Sequence, residues 1–336
     1  MSTLGSTAIT TADLRASLDP KGNAARVYEV LEKVSPVINN ATWFESNMPN
    51  GHESTYQATE ATATKRDYES GVSKSKTVNI PVIDMAAQYA ANTECDVNKL
   101  ETYPNPEQYL SKQEHRKIVA MHNDFEYDFF YGNNKTTLRA NNGLATRFSS
   151  ISSTFGKPGY QVVSAGGTTN NTSLYLVGFG DDGVNLFYPL GSEAGVTRIV
   201  NPQQRVTDAN SKVYYAYCIF NNWKVGLCVE NYRQGFLRVA NISTTDLATY
   251  GTSSDTSPDL VGIAIRAMER VDMNSTLKYC WFANETVIGY LKTMYYHTGN
   301  VNLTLDQAQD GFPQVRLGGI PVYKSYQIGS SEGTIS

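Results

Sequence analysis

From Asn105 to Gly132 the chain carries one uninterrupted helical signal, and its length constrains the fold more than any other feature. Asn105 is placed to cap the helix, and Pro106 suits a first turn that does not need its N–H. Glu107 meets the positive end of the helix dipole. Leu110, Ile118, Met121, Phe125 and Phe129 fall on one stripe, and Gly132 with Asn133 ends the pattern. About 26 residues at about 1.5 Å each make a rod of roughly 40 Å. That is about twice the length of an ordinary globular helix, and a mostly β fibre has no place for it.

The rest of the chain mixes both periods. A helix is expected from Asn23, where Val27, Val30, Leu31 and Val34 share a stripe, with Pro36 ending or kinking it. Another opens at Pro258 with Ser257 as its cap and Leu260, Ile263, Ala267, Met268 and Val271 inward. A further one runs from about Glu285 to Tyr296 with Val287, Leu291 and Met294 inward. Between about 155 and 250 the pattern turns to strands. SLYLVGF (Ser173–Phe179) and VNLFYPL (Val184–Leu190) should face each other across a Gly-Asp-Asp-Gly turn. KVYYAYCIF (Lys212–Phe220) is another strand candidate, and WKVGLCVENYRQGFLRVANI (Trp223–Ile242) alternates like one. GGIPVYKSYQI (Gly318–Ile328) closes the chain as a strand. No repeat of fixed period is visible, and segregated helices and hairpins give an α+β class.

Residues 45 to 80 are the oddest segment. Val78 and Ile80 alternate with Thr77 and Asn79 as in a strand, but the middle has almost no aliphatic residues. A lone hairpin here would be marginal in water, so the segment is either a disordered surface loop or needs a partner surface. Lys65, Arg66, Lys74 and Lys76 form a small basic cluster, but Glu60, Asp67 and Glu69 lie among them, which argues against a phosphate track.

Composition narrows the function classes. Charged residues are 18% and hydrophobic ones 40% of 336, an ordinary globular balance. The formal charge of -4 is the wrong sign for a dedicated DNA binder; it suits a container wall and many cytosolic enzymes equally well. The 22 tyrosines suit large subunit interfaces as well as cores. No apolar stretch is long enough to span a membrane, and the first residues lack a basic-then-apolar leader. The sequons at Asn171, Asn241 and Asn302 need secretion to matter.

The chemical motifs are weak. Gly178-Phe-Gly-Asp-Asp-Gly183 matches a dinucleotide fingerprint, but its two acids would repel phosphate and a strand follows where a helix is required. Asp181 and Asp182 read as solvated turn carboxylates, and Glu94 with Asp96 lacks a third partner in sequence. Cys95, Cys218, Cys228 and Cys280 form no Cys-x-x-Cys pair, and the four histidines do not sit beside them at ligand spacing, so buried free thiols are expected rather than zinc. His115 and His122 fall on one side of the long helix, His52 sits in the polar segment and His297 ends a helix. No catalytic residue, cofactor or metal is expected.

Several segments, taken in order, carry a resemblance: NMPNGHEST (Asn47–Thr55), SGVSKSKTV (Ser70–Val78), FFYGNNKTT (Phe129–Thr137), NNGLATRF (Asn141–Phe148), YPLGSEAGV (Tyr188–Val196), the Trp223–Ile242 run with Gly226, Arg233 and Arg238, WFANETV (Trp281–Val287) and GIPV (Gly319–Val322). Their order and spacing resemble the major capsid proteins of tailed bacteriophages, in particular the epsilon15-like short-tailed group, whose fold is the HK97 fold. The resemblance implies an N-terminal arm (1–44), an extension-loop hairpin (45–82), a peripheral domain (83–154) holding a spine helix at about 106–131, an axial domain (155–310) and a C-terminal return strand (311–336). It implies self-assembly into pentamers and hexamers of an icosahedral head around double-stranded DNA, without sequence-specific binding and without a membrane. A separate scaffolding protein, a portal and a decoration or cement protein are the partners it suggests. Gly51, His52, Lys65, Arg66, Asp67, Glu69, Gly71, Lys74 and Lys76 become interface or hinge residues, and Leu110, Ile118, Met121, Phe125 and Phe129 the spine-helix core. The competing readings are a tail or receptor-binding virion protein and, behind it, a carbohydrate-active enzyme.

Overall fold

The computed structural model describes residues 35–59, 61–102, 105–137, 139–192, 194–207, 211–253, 255–298, 303–307 and 313–336. Residues 1–34 of the arm, and with them the stripe of the helix expected from Asn23, lie outside these residues. Pro36 itself opens a short helix, Pro36–Asn40. The described chain divides into two compact units, one holding Gln88–Phe125 and Glu193–Lys224, the other Ser35–Ala87, Glu126–Ser192 and Val225–Ser336.

The second unit is built on the strand Asn171–Phe179, all nine residues of which are buried. Strands Phe236–Ser243 and Lys278–Ala283 pair with it antiparallel. Ile320–Lys324 continues the sheet parallel to Lys278–Ala283, followed by Pro313–Leu317 and Leu303–Gln307. Alternation sends neighbouring side chains to opposite faces. Leu174 and Leu176 join a core with Trp281, Val239 and the helices Leu260–Met268 and Glu285–Thr298. Tyr175 and Phe179 point the other way, toward Phe130 at 5.0 Å and Phe129 at 6.5 Å. With both faces covered, the strand reads as a continuous apolar run rather than an alternating one.

The first unit is smaller. Val196–Thr207 pairs antiparallel with Val213–Trp223, and Ala87–Asp96 neighbours the same strand. Cys95, Leu100, Tyr109, Leu110 and Ile219 form its core, and Trp223 meets Phe125 and His122 at 5.1 Å each.

Three local expectations are corrected. The Gly180–Gly183 turn forms, with the Gly183 N–H donating to Gly180 O at 2.9 Å, but it makes a corner and not a hairpin. The flanking strands share one parallel pair, Phe179 with Val184, and Val184–Tyr188 goes on to pair antiparallel with Gly226–Val229 and parallel with Trp43–Glu45. Both tight hairpin turns, I′ and II′, need positive φ at the first central residue; Asp181 lacks it, and of the two aspartates only Asp182, at 68°, is positive. The Trp223–Ile242 run is two strands. Val213–Val229 absorbs the Lys212–Phe220 candidate, Asn231 caps a one-turn helix Tyr232–Gly235, and Phe236–Ser243 follows. The helix expected from Pro258 starts at Leu260, capped by Asp259, whose side chain accepts from the Gly262 N–H at 2.9 Å. Ser257 donates instead to Asp255 at 2.6 Å.

Candidate assembly surface

The strands Gly51–Thr59 and Val78–Met85 form a separate two-stranded ribbon, with Gly51 opposite Met85 and a register shift between Gln57 and Thr59. Its root is fixed. The Asn47 side chain donates to Glu53 O at 2.8 Å and accepts the Glu53 N–H at 2.9 Å. Gly51 is there because a Cβ would stand 2.6 Å from the Asp84 carbonyl oxygen. Farther out the ribbon opens into a loop tied across by Thr62 and Ser75 and closed by an Asp67–Ser70 turn with Glu69 at φ 63°.

Every residue from 61 to 81 is exposed. Tyr68 at the tip is 97% exposed, and Val72, Val78, Ile80, Ile83 and Met85 lie open as well. Val78 and Ile80 stand on one face, Ile83 and Met85 on the other, so beyond the root, where Asp84 is buried, neither face is covered among the described residues. Two strands without a covered face are marginally stable in water, and their edges carry unpaired backbone groups. This surface is chemically unfinished by its own chain.

The sequence-predicted residues fall into two groups. Lys65, Arg66, Asp67, Glu69, Gly71, Lys74 and Lys76 all lie in the exposed loop, and among the described residues no ion pair joins its bases to Asp67 or Glu69. Gly71 stands in open space. Gly51 and His52 are at the root. On the long helix, Pro106–Tyr131, Leu110, Met121, Phe125 and Phe129 are buried and Ile118 is half-buried. The stripe missed Tyr109 and Phe130, which are buried too.

The carboxylates weighed from the sequence as catalytic groups do not converge in the described residues. Asp181 and Asp182 are exposed. Glu94 accepts the Tyr214 hydroxyl, and Asp96 caps the helix Val97–Glu101. A groove of about 600 Å³ is lined by Tyr131, Thr146, Arg238 and Glu332 among others. Its one carboxylate is held by Arg238 at 2.8 Å and by the hydroxyls of Ser173 and Tyr131. Arg238, 3% exposed, also donates to Phe148 O at 3.0 Å, so the motif arginine anchors the C-terminal segment. Arg233 pairs with Asp272 at 2.5 Å. Asn171 and Asn241 are buried and closed to glycosylation, and Asn302 lies outside the described residues. Burial, with His115 adding to it, lowers the pKa of His122. The four cysteines are buried free thiols, but Cys228 lies beside His52 and Glu230, a grouping invisible in sequence spacing.

Comparison with known proteins converges. The family model described as major capsid protein GP7 matches residues 19–336. No curated protein matches the chain. A chain of the solved structure of bacteriophage epsilon15 is similar over 100% of this chain and 99% of its own, with a TM-score of 0.77 and 22% identity. The bacteriophage JBD30 capsid is similar over 95% and 99%, with a TM-score of 0.50 and 9% identity. The fold is thus the HK97-like capsid fold, and the chain belongs to the GP7 family of major capsid proteins, structural subunits of phage head shells.

Proposed function

We propose that the subunit forms both the pentamers and the hexamers of an icosahedral head enclosing double-stranded DNA, and that the ribbon Gly51–Met85 is its extension loop, lying over a neighbouring subunit. The observation that carries this reading is the ribbon itself: apolar side chains on two open faces, with every residue from 61 to 81 exposed. In a shell a neighbouring copy covers it, and closed symmetry repeats the contact at every subunit. Residues 83–154 would form the peripheral domain and 155–310 the axial domain, between the arm and the return strand. Gly71, which meets no neighbouring atom, is a natural hinge; Gly51, wedged against Asp84, fixes the root. Lys65, Arg66, Asp67, Glu69, Lys74 and Lys76 lie exposed along the loop, and in the shell they meet charges on the adjacent subunit. DNA is held as contents, without base recognition, as the charge of -4 favours. Assembly takes place in the host cytoplasm with a separate scaffolding protein and a portal, and a cement protein is a further partner.

The test is electron microscopy after size exclusion of the full chain and of a chain in which residues 61–77 are replaced by a short Asn-Gly link. Closed particles or five- and six-membered rings from the first, and a folded but unassembled subunit from the second, are expected. Normal shells from the shortened chain would sink the loop assignment.

A further inference from the structure

Three side chains, one of them distant in sequence from the other two, converge at the root of the ribbon. His52 lies on its first strand, Cys228 on Val213–Val229, and Glu230 directly after that strand. Their ligand atoms lie within 4.8 Å of one another, and His52 Nε2 is 3.7 Å from Glu230 Oε1. Cys228 is fully buried, while the side chains of His52 and Glu230 are 13% and 30% exposed. Each is braced. The His52 ring stands edge-on to Phe44 at 4.8 Å and beside Phe187 at 5.9 Å. Glu230 Oε2 accepts the Asp182 N–H at 3.2 Å, which leaves Oε1 to His52. Directly across the ribbon from His52 is Asp84. Its Oδ1 takes Arg147 at 2.6 Å, but its Oδ2 has no hydrogen-bond partner, although the residue is only 4% exposed. A buried carboxylate oxygen left unpaired is costly and calls for an explanation.

We propose that His52, Cys228 and Glu230 bind one zinc ion at the ribbon root, with the fourth position taken by water or by Asp84. One nitrogen, one sulfur and one oxygen make a borderline-soft donor set that suits zinc and not magnesium or calcium. Two ligands 3.7 Å apart accept an ion at about 2.1 Å from each with an angle of about 120° at the metal. Bringing the thiol in asks for side-chain movement on the order of 1 Å. His52 Nδ1 now faces the Asn47 N–H at 3.4 Å; ligation through Nε2 puts the ring proton on Nδ1 and gives up that weak contact. Burial first, then the charges of Asp84 and Glu230, pushes the Cys228 thiol up to about 12. A dication reverses that field, so binding releases the thiol proton to solvent. A bare His52–Glu230 ion pair accounts for the 3.7 Å approach but gives neither Cys228 nor the orphan Asp84 oxygen a role. Zinc would tie the first ribbon strand to the sheet and so fix the ribbon at its root.

The test titrates the chelator-stripped full chain with Zn²⁺ and with Co²⁺. Binding of one equivalent is expected, with a cobalt–thiolate charge-transfer band that Cys228→Ser abolishes. His52→Gln and Glu230→Gln, both at partly exposed positions, should each weaken zinc binding by about 100-fold or more, since losing even an outer-shell partner costs 10- to 100-fold. These two variants decide the matter if Cys228→Ser does not fold. Absence of stoichiometric binding, a cobalt spectrum without the thiolate band, or affinity unchanged in both Gln variants overturns the site.

Discussion

The strands Asn171–Phe179 and Val78–Met85 are nearly equal in length, at nine and eight residues, yet the first is wholly buried and six residues of the second are exposed. The difference lies in what surrounds them. Asn171–Phe179 has an antiparallel partner on each side, helices over one face and the aromatic end of the long helix over the other. Val78–Met85 has only its sister strand. One region is completed by its own chain and holds the subunit together. On the proposed function the other is left for a second copy, and its contribution should then appear only in the shell.

That contrast can be broken at either end. Trp281→Ala, at a fully buried position beside the central strand, should cost about 3–5 kcal/mol, read as a loss of cooperative thermal unfolding in the isolated subunit. Glu332→Ala should cost a similar amount, about 3–5 kcal/mol, because it strands the buried Arg238 without its counter-ion; an unchanged melting temperature would show that the C-terminal segment is not part of the core. A smaller effect belongs to Glu126, whose carboxyl is pushed up by burial against the help of the Ser325 hydroxyl at 2.6 Å. Its folded pKa exceeds its unfolded one, so its contribution is fullest below the ordinary carboxylate range and is lost as pH rises through the raised value. Glu126→Gln should therefore melt higher than the parent at pH 7 and lose that advantage near pH 4; an equal gain at both would contradict the assignment. The smallest change in subunit stability, within about 0.5 kcal/mol, is expected of Tyr68→Ala and Ile83→Ser. Both should nonetheless lower the yield of closed particles, and a large drop in subunit melting temperature would mean that the ribbon packs on its own chain.

The long helix was legible because capping, stripe and stop all fall in adjacent residues: it runs Pro106–Tyr131 as the local signals require. The exposed ribbon was half legible. Val78 and Ile80 announce a strand, but the partner strand Gly51–Thr59 is polar, and only the resemblance made the pair a hairpin. Alternation could not see the one-turn helix Tyr232–Gly235, since four residues scarcely disturb a period of two. Ser257 and Asp259 both suit a helix cap, and the choice between them depends on where Leu260 and Val261 must meet the sheet. The His52, Cys228 and Glu230 cluster was hidden because His52 comes from a strand more than a hundred and seventy residues away from the Cys228–Glu230 pair, and spacing along the chain carries no trace of a contact made by folding.

The most direct test is a cryo-electron microscopy map of shells assembled from the full chain. Residues 61–81 should lie on the adjacent subunit, with Tyr68, Val72 and Ile83 covered there. A closed shell in which the ribbon stands free in solvent, or folds back on its own subunit, would contradict the division of labour between the two regions.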